Sequence, residues 1–100
     1  MTTARKLKLA GALEKLGHLM MWGTPILDAM DVTADECPDK TLAEVIRRMR
    51  ARIARGKSMF PEEAKQIPRS VQLILGAGET TGKFPRSCLI SAQVLRAESA

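Results

Sequence analysis

Lys40-Thr-Leu-Ala-Glu-Val-Ile-Arg-Arg-Met-Arg-Ala-Arg-Ile-Ala-Arg-Gly56 is the stretch that decides the fold. Its apolar residues Leu42, Val45, Ile46, Met49 and Ile53 recur at the three- and four-residue spacings of one buried helical stripe. Gly56 supplies a C-terminal stop, and Arg52 and Arg55 sit where a helix macrodipole favours cations. The spacing predicts a helix from about Lys40 or Thr41 to Arg55. Arg47, Arg48, Arg50, Arg52 and Arg55 fall on its non-apolar arc, with Arg48, Arg52 and Arg55 closest together.

The same pattern extends outward in both directions. From Arg5 to Trp22, Leu9, Leu13, Leu16 and Met20 form a second helical stripe, ended by Gly23. Thr24 can cap a following helix and Pro25 suits its first position, so a helix is expected from Pro25 to about Glu36. Cys37-Pro38 interrupts it. Beyond Gly56, Ser58 can cap a short fourth helix with Pro61, Glu62 and Glu63 near its start. A fifth is expected from Pro68 to Ala77 or Glu79, then a turn over Gly78–Gly82, and a sixth from near Pro85 carrying Leu89, Ile90, Val94 and Leu95. Six helices with short connections predict an all-α antiparallel bundle.

Composition agrees. One hundred residues is the size of one domain, taken here as 1–100, and a 45% apolar share can build one core. With aromatic residues at only 3%, that core must be aliphatic. Cys37 and Cys88 have neither C-x-x-C nor zinc spacing and read as reduced thiols. The unbroken apolar runs are far shorter than the roughly 20 residues of a membrane span, so the chain is expected to be soluble. The charge of +5 points to anionic partners, yet residues 1–56 hold ten basic and seven acidic side chains and residues 57–100 hold six and four, so no basic tail stands out.

Chemistry-bearing patterns reduce to surfaces. Val71 to Lys83 imitates a phosphate-binding loop, but Ala77 stands where a glycine is needed and Phe84 where Ser or Thr must hold Mg²⁺. Asp28, Asp31 and Asp35 share a helix face that splays its carboxylates, which suits pairing with nearby arginines better than a calcium site. His18 lacks a catalytic partner at any suggestive spacing. The six methionines fall mostly on or beside apolar stripes and read as core filler. No cofactor, metal, small-molecule substrate or catalytic residue is expected. Arg48, Arg52 and Arg55 are the candidate partner-binding residues. Gly23, Pro25, Gly78, Glu79, Thr81 and Gly82 are candidate structural turn residues.

The order of landmarks resembles a known family. Met21-Trp-Gly-Thr-Pro-Ile-Leu-Asp-Ala29, Asp35-Glu36, Arg55-Gly-Lys-Ser58, Pro68 and Ala77-Gly-Glu-Thr-Thr-Gly82 are similar to the type II secretion F domain over about residues 13–95. That is the cytoplasmic domain of the inner-membrane platform protein of bacterial type II secretion and type IV pilus assembly. The resemblance implies a six-helix bundle acting as a scaffold in protein transport at the cytoplasmic face of the inner membrane. It also implies contacts with the assembly ATPase and other platform proteins, and leaves homo-oligomer formation open. Three departures stand out: the stretch from Ser58 to Pro68 is about three residues shorter than is usual for the family, Phe60-Pro61 replaces the family's Leu-x-x-Ala-Leu pattern, and no membrane helices are present. The alternative is a small basic helical nucleic-acid-binding regulator, disfavoured because stacking aromatics are scarce.

Overall fold

The computed structural model describes residues 1–60 and 67–100. Its described secondary structure is helical: α1 (Thr3–Met21), α2 (Ile26–Asp35), α3 (Lys40–Ala54), α4 (Arg69–Thr81) and α5 (Phe84–Glu98). The short helix expected around Pro61, Glu62 and Glu63 falls on residues 61–66, outside those described. No helix among the described residues is long and apolar enough to cross a membrane.

Local chemistry sets the helix ends. Thr2 caps α1 by accepting from the Arg5 N–H at 3.2 Å. Asp39 caps α3 by accepting from Thr41 and Leu42 at 2.9 and 3.1 Å. The Leu42 N–H, then the charge and guanidinium of Arg5 at 3.3 Å, then the Thr41 N–H hold the Asp39 carboxyl below its ordinary 3.8. This cap therefore stabilises fully above the unfolded value and is lost as pH falls through the lowered one. At the other ends α1 and α3 close in the same way. Thr24 N–H bonds Leu19 O and Gly23 N–H bonds Met20 O, while Lys57 and Gly56 do the same to Arg52 and Ile53. Gly23 and Gly56 take φ of 102° and 73° there, as such a closure requires.

Two boundaries differ from expectation. Pro25 is the cap of α2 rather than its first residue, and no side chain caps that helix. The turn expected over Gly78–Gly82 is confined to Gly82, at φ 75°, and α4 continues through Gly78, Glu79 and Thr81. Thr80 and Thr81 stay helical because their hydroxyls return to the carbonyls of Gly76 and Ala77 instead of breaking the chain away.

Helix order in space follows from side-chain pairs. Asp31–Arg50 at 2.9 Å and Asp35–Arg47 at 3.1 Å run α2 and α3 antiparallel. Lys6–Glu98 at 3.7 Å joins the start of α1 to the end of α5, and Ser70 donates to the same glutamate from the start of α4. α5 thus lies between α1 and α4, antiparallel to both. Leu9, Leu13 and Leu16 of α1, Leu42, Ile46 and Met49 of α3, Val71 and Leu75 of α4 and Leu95 of α5 form one core with Met30. Met59 and Ile67 fill it from the chain between α3 and α4.

α5 does not bury the stripe expected of it. Ile90 is exposed, Leu89 and Val94 are half-buried, and the enclosed face is Phe84, Ser87, Cys88, Ser91, Ala92 and Leu95. A helix wedged between two others needs small side chains on both flanks. Burial also pushes the Cys88 thiol up to about 12, so it stays protonated and unreactive at neutral pH. Of the methionines, Met30, Met49 and Met59 are buried, but Met1 and Met21 are exposed rather than core filler.

The crossings are closest at two glycines. A Cβ on Gly17 of α1 would lie 2.9 Å from both the Pro85 carbonyl and Leu89 Cδ2. One on Gly78 of α4 would meet Ser87 Cβ at 2.6 Å and Phe84 Cα at 3.2 Å. Gly11 of α1, by contrast, has nothing within 4 Å of such an atom. In urea denaturation Gly17→Ala and Gly78→Ala should each lose about 1–3 kcal/mol through overpacking. Gly11→Ala should be neutral or gain up to about 1 kcal/mol of helix propensity; equal effects at all three positions would contradict these crossings.

Candidate partner-binding surface

α3 turns its apolar stripe inward, so its arginines must face α2 or solvent. Arg47 and Arg50 are drawn to α2 by Asp35 and Asp31. The acidic face expected on α2 is therefore largely occupied by arginine, with Asp28 exposed and outside any ion pair among the described residues.

The three candidate arginines do not form one free patch. Arg48 is exposed and reaches Glu44, one turn back on its own helix, at 2.6 Å. Such an exposed pair contributes little to folding and opens readily toward a partner. Arg52 is half-buried, and its Nε donates to the Ser58 carbonyl at 2.7 Å, which ties the chain leaving α3 to the helix end. Arg55 caps α3, is exposed, and has no ion pair among the described residues. Arg48 and Arg55 remain available for recognition, whereas Arg52 is committed to structure.

The candidate turn residues have separate tasks. Gly23 and Gly82 supply left-handed backbone, Gly78 supplies close approach, and Pro25 opens α2. Glu79 does something that spacing alone could not reveal. Its carboxylate accepts the Met59 N–H, at 3.1 Å to Oε2 and 3.4 Å to Oε1. Met59 is fully buried, so this bond pins the chain after α3 against the last turn of α4. Lys83 N–H bonds Gly78 O across the same helix end. A helix, not a phosphate-cradling loop, occupies residues 78–81, and its N–H groups are directed along the helix.

One surface residue was missed from sequence. Trp22 is 78% exposed beside Met21 at 60%, and its ring stacks on that of His18 with centroids 5.6 Å apart and planes 12° from parallel. The available signal was helical phase: two residues beyond Met20 lies about 200° round the helix, away from the Leu9–Leu16 stripe.

Removing the Glu79 carboxylate should leave the buried Met59 N–H without its partner. Glu79→Ala should then cost about 1–3 kcal/mol in chemical denaturation, with Glu79→Gln recovering part of it. Gly82→Val should also lower the melting temperature, while ATP with Mg²⁺ leaves the wild-type midpoint unmoved. A nucleotide-dependent shift would restore a phosphate-binding role to this segment.

The family model described as "Type II secretion system (T2SS), protein F" matches residues 12–100. The chain is similar to the "Type IV pilus assembly protein PilC" of Myxococcus xanthus (strain DK1622), with 39% identity over 80 residues. That alignment covers 78% of this chain and 19% of the relative, so the chain spans about a fifth of that protein's length. No solved structure matches it. With the helix order, the Gly23-Thr24-Pro25 entry to α2 and the Gly78–Gly82 helix end all inside the matched region, the chain belongs to the type II secretion system protein F family.

Proposed function

We propose that the chain is a non-catalytic scaffold domain, a single unit over residues 1–100, of a type II secretion or type IV pilus assembly platform. It works at the cytoplasmic face of the bacterial inner membrane, where it binds the assembly ATPase and neighbouring platform subunits. The observation that carries this reading is the family match over residues 12–100, which takes in all of α2 to α5 and most of α1. Likeness to a pilus assembly protein supports the same role.

On the arginine side of α3, Arg48 and Arg55 are exposed and able to form paired bonds to carboxylates. An acidic patch on the ATPase or a platform neighbour suits them, with Arg52 holding the helix end from which Arg55 projects. Because exposed charges contribute little to folding, recognition and stability can be separated experimentally.

Arg48→Glu combined with Arg55→Glu should leave stability within about 0.5 kcal/mol of wild type. The double variant should bind the assembly ATPase of the same genome more weakly, and the wild-type interaction should fade as salt rises. Arg52→Glu should instead lower stability by about 1 kcal/mol through loss of its bond to the Ser58 carbonyl. Undiminished ATPase binding by the double variant, or its unfolding, would remove these arginines from the interface.

A further inference from the structure

Cations without an ion pair among the described residues fall at both ends of the bundle, with Lys8, Lys40 and Arg69 near the starts of α1, α3 and α4. Every described carboxylate except Asp28 and Glu79 is in an ion pair, and Glu79 is occupied by the Met59 N–H. The cations left over therefore set the local field. Arg55, Lys57, Lys83 and Arg86 lie at the end where α1, α3 and α4 finish and α5 begins, and none has an ion pair among the described residues. The approach of Gly17 to Pro85 and Leu89 brings the first turn of α5 beside the last turn of α1.

Trp22 stands at this end. It is the chain's only tryptophan and, with Met21, is among its most exposed large apolar side chains, although the fold makes no core use of it. His18 covers one face of the indole and holds its orientation. An oriented aromatic anchor at the same end of the bundle as unpaired cations has the composition of a protein-binding hot spot.

We infer that the Trp22 end of the bundle docks an acidic protein segment that carries an apolar side chain, Trp22 and Met21 receiving that side chain while Lys83 and Arg86 receive its carboxylates. The inference rests on the protein-binding role proposed above and adds the end of the molecule and the chemistry of the partner. Charge complementarity selects this occupant. A second copy meeting the same end would bring the same unpaired cations against one another. A bilayer takes a long apolar helix face, and Trp22 with Met21 is a short patch at a helix end.

Selection of a random peptide display library on the intact chain tests this without any assembly protein, so a failed ATPase interaction leaves the result interpretable. The enriched peptides should be acidic with at least one apolar residue, and binding them should shift Trp22 emission to the blue. Trp22→Ala, and Lys83→Glu combined with Arg86→Glu, should each weaken binding by roughly tenfold or more. Both should keep their fold, since Trp22 is exposed and glutamates suit the start of α5. The inference is overturned if nothing is enriched, if the enriched peptides lack excess acid, or if both variants bind them unchanged. It is equally overturned if Trp22 emission shifts on phosphatidylglycerol vesicles but not with peptide, which assigns the surface to a membrane. A shift on concentrating the protein alone, together with dimer in sedimentation, assigns it to a second copy.

Discussion

At the first turns of α5, a glycine on α1 and a glycine on α4 approach so closely that a methyl group on either would force its neighbours to shift. Gly17 faces the Pro85 carbonyl and Gly78 faces Phe84 and Ser87, so α5 is held from both sides at the same level. Backbone atoms cannot rotate away as side chains can, which makes these crossings the least adjustable part of the packing. They fix where α5 begins, and through it how α1 and α4 are spaced. The pair α2 and α3 then completes the core, with Leu42, Ile46 and Met49 in one cluster with Leu9, Leu13 and Leu16 of α1 and Val71 and Leu75 of α4.

That constraint explains which parts of the fold were legible in the sequence. α1 and α3 each bury a single broad face, so their leucine, isoleucine and methionine spacing announced them almost to the residue. α5 is enclosed on two sides, and there the ordinary hydrophobic signal misleads. Ser87, Cys88, Ser91 and Ala92 are buried because they are small, while Ile90 lies on the open side. Periodicity counts large apolar residues and cannot see a face selected for lack of volume. The end of α4 was misjudged for a related reason. Gly78 read as a turn residue, but its missing side chain serves helix contact, and only Gly82 needs the left-handed backbone.

The surface was less legible than the fold, since charge in sequence says little about charge in space. Basic and acidic residues are spread evenly along the chain, yet pairing is not even. Asp31 and Asp35 neutralise Arg50 and Arg47, Glu44 takes Arg48, and Glu14 takes Arg96. Such pairs contribute little individually to folding, but they decide which cations remain unspent. Arg52 looked equivalent to Arg48 and Arg55 by helical phase. Its bond to the Ser58 carbonyl depends on where the chain goes after Gly56, which no spacing within α3 encodes.

The end of the bundle that carries Trp22, Lys83 and Arg86 is also tied together by backbone bonds and close helix contacts. Gly23, Gly56 and Gly82 close α1, α3 and α4 there, Glu79 holds Met59, and both glycine crossings lie within the first turns of α5. A surface built on fixed backbone loses little conformational freedom when it meets a partner, so more of each contact's energy survives as affinity. Trp22 benefits in the same way, because its ring is already stacked on His18 before any partner arrives. Rigidity at this end and exposure at this end thus have one origin: where helix ends are tied together by backbone bonds, the side chains of the turns are left over, and what they present is free to be set by a partner rather than by the core.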